Sequence, residues 1–180
     1  DIKTVEEHIL AAEKEFHRPI GSTLIMAAIE STKGMLNLYD ICTSSDRLFG
    51  IALSGGDYTR DLQTSISKSG VELVGARQQM VITARATGRM CFDTVYTDLD
   101  DMEGFRKDVE MIKQMGFDGK SIINPRQIPV CHDVFTPTEK QIRWAEAVVR
   151  EIDTKKAMGI GVFQLNGKML DIAFYDGAKR

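Results

Sequence analysis

Short apolar runs alternate with longer amphipathic segments over the first two thirds of the chain. The runs have the length of buried strands, and the segments between them repeat their apolar residues with a helical period. Predicted strands cover residues 22–30, 48–53, 91–96 and 119–123, and predicted helices cover residues 4–16, 32–43, 72–87 and 101–115. Because a helix separates each strand from the next, the pattern predicts a parallel α/β sheet with right-handed crossovers and both faces covered.

The pattern changes after Asn124. A helix is predicted over residues 139–152, and two short strands, 161–165 and 168–170, flank Asn166-Gly167. Asn-Gly is the strongest short signal for a two-residue hairpin turn. We therefore divide the chain into a main domain, residues 1–136, and a C-terminal extension of helix, hairpin and tail, residues 137–180.

Four strands leave the type of sheet undecided. An open four-stranded parallel sheet has unpaired backbone groups at both edges. A closed barrel removes those edges but needs about eight strands. The pattern alone is compatible with a small doubly wound sheet and with half of a barrel.

Composition narrows the class of protein. The 180 residues are 43% hydrophobic, which is enough for a core, and a net charge of −3 with scattered basic residues argues against a nucleic-acid partner. The chain has no apolar run of about 18 residues and no signal-peptide pattern, so we expect a soluble protein without a membrane partner. Cys42, Cys91 and Cys131 form no CxxC pair and are interpreted as inert thiols in a reducing cytoplasm.

Two carboxylates follow neighbouring predicted strands. Glu30 ends the run STLIMAAIE, and Asp57 follows the run IALSGG. In parallel barrels the chemistry lies at the carboxyl ends of the strands, and two such carboxylates could share one Mg²⁺ ion. Glu30 could equally be a first-turn acid of the next helix. Gly55 and Gly56 could let backbone amides approach a substrate carboxylate or thioester, or form a plain tight turn.

Several longer motifs carry a resemblance to a known family. They are AAIESTKG, RLFGIALSGGDYTRDL, FDTVYTDLDDMEGF, MGFDGKSIINPRQI and LNGKMLD. In this order and spacing they resemble the citrate lyase/HpcH–HpaI aldolase family across nearly the whole chain. Within that family they are more similar to the citrate lyase branch than to the branches that cleave CoA thioesters.

The resemblance implies a larger fold than four strands provide. It implies a TIM (β/α)₈ barrel of which this chain supplies strands five to eight, the helix before them and the C-terminal extension. The remaining half would include an arginine that holds the substrate carboxylates. We therefore expect the sequence to be a fragment of a longer protein.

The resemblance also implies roles for individual residues. Glu30 and Asp57 would bind Mg²⁺, and Asp171 would be a catalytic residue delivered to a neighbouring subunit of a trimer, its alternative role being a helix N-cap. Asn124 and Pro125 would line the thioester channel, or form a structural turn. Asp93 and Asp98 are interpreted as supporting or loop-capping residues.

The implied reaction is a Mg²⁺-dependent retro-aldol cleavage. A citryl thioester, carried on an acyl carrier protein or on CoA, would give oxaloacetate and an acetyl thioester, with other citrate lyase subunits as partners. Two alternatives stay open. One is a lyase acting on citramalyl-CoA, malyl-CoA or citryl-CoA, and the other is a non-catalytic assembly subunit of a lyase complex.

Overall fold

A computed structural model describes residues 1–179 and divides the chain into two compact units. The first unit comprises Asp1–Phe135, and the second begins at Thr136. The first contains a parallel sheet of four strands in chain order, β1 to β4. The strands are Ile25–Ile29, Leu48–Leu53, Met90–Asp93 and Gly119–Lys120. The predicted parallel α/β arrangement is confirmed.

Helices precede, connect and follow these strands. In chain order they are α1 Ile2–Glu15, α2 Thr32–Leu36, α3 Leu38–Thr43, α4 Gly55–Asp61, α5 Val71–Thr87, α6 Met102–Met115 and α7 Ile128–Phe135. A short 3₁₀ helix, Pro125–Gln127, leads into α7.

Two local predictions for this unit are wrong. The single helix predicted over residues 32–43 is interrupted at Asn37, whose side-chain amide donates a hydrogen bond to the Lys33 carbonyl and ends α2. Such side-chain bonds to the backbone compete with helix continuation. The predicted loop before Asp57 is also shorter, because α4 already begins at Gly55.

The two faces of the sheet are covered unequally. Along β1, buried and exposed residues alternate, and the buried Ile25, Ala27 and Ile29 pack into the main core. Met26 of β1 and Met90 of β3 are both register partners of Gly50, which lies between them in β2. Met26 is 50% exposed and Met90 is 44% exposed. The expectation that both faces are covered is therefore wrong for the residues that the structure describes. One face packs against helices and the other carries exposed apolar side chains.

A buried ion pair joins α1 to the segment before β2. Both guanidinium Nη atoms of Arg47 donate to the Glu13 carboxylate, at 2.9 and 2.7 Å. The backbone N–H groups of Gly21 and Thr23 donate to the same carboxylate, each at 2.9 Å. These bonds, chiefly those from Arg47, hold the pKa of Glu13 far below its ordinary value, although burial opposes the shift.

Removal of this carboxylate should lower stability in a pH-dependent way. We expect Glu13→Gln to lower the Tm of the intact protein at pH 7 more than Glu7→Gln, which changes an exposed glutamate of the same helix. Because the pKa is depressed in the folded state, the contribution is present above the ordinary value of 4.5 and is lost as pH falls below it. The Tm difference between wild type and Glu13→Gln should therefore narrow at about pH 3. A pH-independent difference would contradict this assignment.

The second unit consists of a helix, a hairpin and a short final helix. Helix α8 is Glu139–Ala157, and it begins with a capping box formed by Thr138 and Gln141. Strands β5 Val162–Leu165 and β6 Lys168–Asp171 pair antiparallel, and α9 is Ala173–Lys179. Asn166 and Gly167 both have positive φ, so the predicted hairpin turn is confirmed. A small core is formed by Val148, Ile152 and Leu170, with Trp144, Phe163, Leu165, Tyr175 and Ala178 packed against it.

Within residues 1–179, no helix has both the length and the apolar character needed to cross a lipid bilayer.

Candidate functional site

The loops after β1 and β2 begin side by side at the carboxyl edge of the sheet. Ile29 and Leu53 are register partners, and the Ser54 N–H donates to the Ile29 carbonyl at 3.0 Å. Glu30 directly follows Ile29 and has an exposed side chain. The structure thus brings Glu30 to the same edge as the segment that leads to Asp57.

Asp57 lies in the first turn of α4. Its carboxylate accepts a hydrogen bond of 2.9 Å from the Ser54 hydroxyl and pairs with Arg60 at 2.9 Å. Arg60 is 79% exposed and Asp57 is 39% exposed, and exposed ion pairs of this kind contribute little to stability. The Asp57 carboxylate can therefore exchange Arg60 for another cation at low cost.

A hydrogen-bonded clamp links the two loops. Asp61, the last residue of α4, accepts hydrogen bonds from both the backbone N–H and the hydroxyl of Thr32, at 2.7 and 2.6 Å. These bonds, led by the one from the hydroxyl, lower the pKa of Asp61. Thr32 follows Glu30 by two positions, so the clamp fixes the two carboxylate-bearing loops relative to each other. The sequence alone gave no signal for it, because the partners are 29 positions apart.

The two candidate glycines have different surroundings. The Gly55 N–H is buried and donates to the Thr94 hydroxyl oxygen at 2.8 Å. A Cβ atom at Gly55 would lie 2.8 Å from that oxygen, whereas a Cβ atom at Gly56 would meet no atom of the described residues within 4 Å. Gly55 is thus required by close packing against the loop after β3. Gly56 is exposed, and substrate contact at either glycine remains a prediction.

Alanine substitutions should separate these two glycines. We expect Gly55→Ala to destabilise the intact protein by about 1–3 kcal/mol, because the added methyl group overpacks the contact with Thr94. Gly56→Ala should change stability by less than about 1 kcal/mol, since it places a better helix former in open space. Chemical denaturation of the two variants measures the difference. Equal losses would contradict the packing argument.

Asn124 and Pro125 begin the 3₁₀ helix after β4. The Asn124 side chain accepts a hydrogen bond from the Arg126 N–H at 3.0 Å. The buried Gln127 completes the turn, because its side chain accepts from the Ile123 N–H and donates to the Tyr96 carbonyl, each at 3.0 Å. Both candidates therefore have a structural role in the turn, and Gln127 ties that turn to the loop after β3. The thioester contact stays a prediction.

Asp171 belongs to the second unit. It ends β6, and its carboxylate accepts a hydrogen bond of 2.9 Å from the Ala173 N–H at the start of α9. This bond matches the alternative role as a helix cap. One carboxylate oxygen is engaged in it, and the catalytic role stays a prediction.

Asp93 is the centre of a buried charged cluster behind the sheet edge. Arg77 of α5 donates to it through Nε and Nη2, at 2.9 and 2.8 Å, and Lys120 of β4 donates at 2.6 Å. Arg77 and Lys120 both also bond to Asp108 of α6. The cluster thus joins α5, β3, α6 and β4, and it supports the strand ends from which the loops project.

The side chains at the carboxyl edge of the sheet supply some of the oxygen ligands that a hard cation requires. Glu30 and Asp57 offer carboxylate oxygens, which are the ligands that Mg²⁺ prefers. Residues 1–179 contain no group of three or more acidic, histidine or cysteine side chains arranged to hold a metal. Mg²⁺ commonly binds through one or two carboxylates and completes its shell with substrate and water oxygens. Two carboxylates therefore fit a site completed by a substrate.

The fold and the site together define an α/β protein with carboxylates at the carboxyl edge of a parallel sheet. Comparison with known proteins identifies the family within this class. The model of the HpcH/HpaI aldolase/citrate lyase family matches residues 1–125, and the chain belongs to this family. The resemblance inferred from the sequence motifs is confirmed.

Individual relatives refine this result. The chain is 50% identical to citrate lyase subunit beta of Leuconostoc mesenteroides subsp. cremoris over 167 residues, which are 93% of this chain and 55% of the relative. It is 32% identical to the mitochondrial citramalyl-CoA lyase of Rattus norvegicus over 152 residues, 80% of this chain and 45% of the relative. The chain thus spans about half the length of these relatives.

A solved structure shares the fold. It is protein CitE from Mycobacterium tuberculosis in complex with magnesium, acetoacetate and coenzyme A. The match has a TM-score of 0.72 and 25% sequence identity, and it covers 87% of this chain and 58% of the other.

Proposed function

We propose that this chain is part of a Mg²⁺-dependent carbon–carbon lyase that cleaves a citryl thioester to oxaloacetate and an acetyl thioester. The observation that carries the proposal is the 50% identity to a citrate lyase subunit beta over 93% of the chain. The position of Glu30 and Asp57 at neighbouring strand ends supports it, since this edge is where parallel α/β folds carry their chemistry.

We assign cation binding to Glu30 and Asp57. When bound, Mg²⁺ would supply the positive charge that stabilises oxygen anions of a hydroxy acid. The clamp between Thr32 and Asp61 holds the two loops, and the Ser54 hydroxyl orients Asp57. Gly55, Gly56, Asn124 and Pro125 are proposed to border the substrate.

The cleavage itself requires proton transfers at two places. The bond between the hydroxyl-bearing carbon and the methylene next to the thioester breaks, the hydroxyl loses its proton, and its carbon becomes the ketone of oxaloacetate. The thioester enolate then gains a proton to give the acetyl thioester. We assign a proton transfer to Asp171, whose carboxylate is half-buried and has one oxygen engaged by Ala173.

We also propose that the sheet is half of a TIM (β/α)₈ barrel, with residues 1–136 as the barrel part and 137–180 as an extension. One feature of the sheet supports this. One of its faces carries exposed apolar side chains, Met26 and Met90 among them. A further segment of similar size, closing the barrel, would cover this face and pair the edge strands. It would also bring the substrate-binding arginine.

Partners and location follow from the same proposal. We propose a homo-oligomer, a trimer, in which Asp171 serves a neighbouring copy, together with other citrate lyase subunits. We propose a cytoplasmic location, since the three cysteines are unpaired thiols in the structure.

A second candidate is a lyase acting on a CoA thioester such as citramalyl-CoA. The 32% identity to citramalyl-CoA lyase favours it, and the CoA-bound structure with the same fold is consistent with it. This identity is lower than the 50% identity to citrate lyase subunit beta, so cleavage of a citryl thioester stays the first candidate.

One experiment compares the candidates. The intact protein is incubated with Mg²⁺ and, separately, with citryl thioester on acyl carrier protein, citryl-CoA, citramalyl-CoA and malyl-CoA, and the keto acid released is measured. Oxaloacetate from the citryl carrier thioester is the expected product. Pyruvate from citramalyl-CoA alone would favour the second candidate. No keto acid from any substrate, in the complete complex as well, would contradict both and favour an assembly subunit.

A further inference from the structure

Asp61 lies outside the metal and substrate candidates, yet it holds the loop that carries Glu30. Its Oδ2 atom accepts hydrogen bonds from the backbone N–H and from the hydroxyl of Thr32. Thr32 is the first residue of α2 and follows Glu30 by two positions. Asp61 itself ends α4, the helix whose first turn carries Asp57. One carboxylate therefore joins the two segments that carry the candidate cation ligands.

A second hydrogen bond closes these segments into a ring. Where they leave the sheet, the Ser54 N–H donates to the Ile29 carbonyl at 3.0 Å. The bonds between Thr32 and Asp61 join them again further along the chain. On the β1 side, Glu30 and a single further residue lie between these two attachment points. The ring therefore restricts where the Glu30 carboxylate can lie relative to the other ligand.

A shared cation requires such a restriction. Mg²⁺ binds its oxygen ligands at about 2.0–2.1 Å and tolerates little departure from octahedral geometry. Two carboxylates that approach the same point repel each other when no cation is present. Loops without a connection would therefore let Glu30 and Asp57 move apart, and cation binding would have to bring them together again. The ring keeps the two loops together before the cation arrives.

The fold of this region does not depend on the clamp. The bonds between Asp61 and Thr32 are exposed, and exposed hydrogen bonds contribute modestly to stability. Helix α4 is also anchored by the buried Tyr58 and Thr59 and by the bond from Gly55 to the loop after β3. Loss of the clamp should therefore affect the position of the loops more than the stability of the protein.

We propose that Asp61 is a positioning residue, which holds the loops of Glu30 and Asp57 close enough for both carboxylates to bind one divalent cation. The proposal rests on the cation site assigned under the proposed function. The alternative is that Asp61 is itself a cation ligand. The two roles predict different effects when Asp61 is released from Thr32. Loss of positioning weakens cation binding, whereas a released ligand leaves it unchanged or strengthens it.

Binding of Mn²⁺ to the intact protein without substrate tests the proposal. Mn²⁺ accepts the same carboxylate and water ligands as Mg²⁺, and electron paramagnetic resonance measures the free ion directly. Thr32→Val removes the hydroxyl donor, keeps the branched shape of the side chain and changes no charge. We expect it to weaken Mn²⁺ binding about tenfold, as loss of a group that orients metal ligands commonly does. Thr32→Ser keeps the hydroxyl and should bind almost as wild type does.

Thr43→Val is the matched control. The Thr43 hydroxyl donates to the Tyr39 carbonyl at 2.8 Å on the exposed surface of α3, so the same group is lost away from the ring. This variant should leave the Mn²⁺ affinity unchanged. Thermal unfolding is measured in parallel, and the Tm of both valine variants should be close to that of wild type.

The outcomes separate this inference from the proposed function. The proposal is overturned if Thr32→Val binds Mn²⁺ as tightly as wild type or more tightly, or if Thr43→Val shows an equal loss. If Asp57→Asn abolishes Mn²⁺ binding in that case, the cation site stands without a role for Asp61. If wild type does not bind Mn²⁺, or if Asp57→Asn binds it as wild type does, the cation assignment fails and this inference fails with it.

Discussion

Replacement of either carboxylate at the sheet edge is expected to abolish most of the proposed lyase activity of the intact protein. Asp57→Asn and Glu30→Gln keep the size of each side chain and remove one negative oxygen ligand. A bound metal stabilises the transition state by several kcal/mol, so loss of a ligand should lower kcat by about 100-fold or more. The concentration of Mg²⁺ needed for half-maximal activity should rise as well.

A matched control separates ligand loss from a general charge effect. Asp46→Asn removes one exposed carboxylate before β2, at the opposite end of the sheet, and should leave kcat and the Mg²⁺ requirement unchanged. Keto-acid release is measured over a series of Mg²⁺ concentrations for all three variants. If Asp57→Asn and Glu30→Gln behave like Asp46→Asn, the metal assignment is wrong and the assembly-subunit alternative gains support.

The clamp gives a reason to expect that these variants fold. Glu30 is exposed, and the Asp57 pair with Arg60 is mostly solvated, so neither substitution uncovers a buried charge. The loops are held instead by Asp61 and Thr32 and by the packing of Gly55 on Thr94. Circular dichroism and Tm should therefore be close to those of wild type, and a loss of activity can be assigned to the site.

Sequence pattern predicted the elements with the strongest periodicity. The four strands of the sheet and the hairpin at Asn166-Gly167 were predicted from local residues, because apolar run length and turn chemistry act over a few positions. Element ends were less accurate. The strand predicted over 22–30 is limited to Ile25–Ile29, and the break at Asn37 coincides with a side-chain hydrogen bond to the Lys33 carbonyl.

The contacts that shape the candidate site could not be predicted in this way. Thr32 and Asp61 are 29 positions apart, and Gly55 and Thr94 are 39 apart. Their proximity depends on how the crossovers return the chain to the same edge of the sheet. Local periodicity carries no information about it. The placement of Glu30 beside the loop of Asp57 was predictable, because carboxyl ends of neighbouring parallel strands meet at one edge.

Disruption of the buried cluster around Asp93 is expected to have a large effect on the stability of the protein. Asp93→Asn is expected to destabilise the intact protein by about 3–5 kcal/mol, because removing one partner of a buried pair leaves the remaining charges uncompensated. Arg77 and Lys120 would then share Asp108 alone, and one Arg77 donor already lacks a partner among residues 1–179.

Asp98→Asn is the matched control for this substitution. Asp98 is an exposed aspartate of the loop that follows the same strand, and its change should alter stability by less than about 0.5 kcal/mol. Urea denaturation at pH 7 measures both variants. Lys120→Met should also be strongly destabilising, since it removes a partner from both Asp93 and Asp108. If Asp93→Asn is no more destabilising than Asp98→Asn, the cluster does not support the strand ends. The apolar packing of α5 and α6 on the sheet would then be sufficient to hold the edge that carries Glu30 and Asp57.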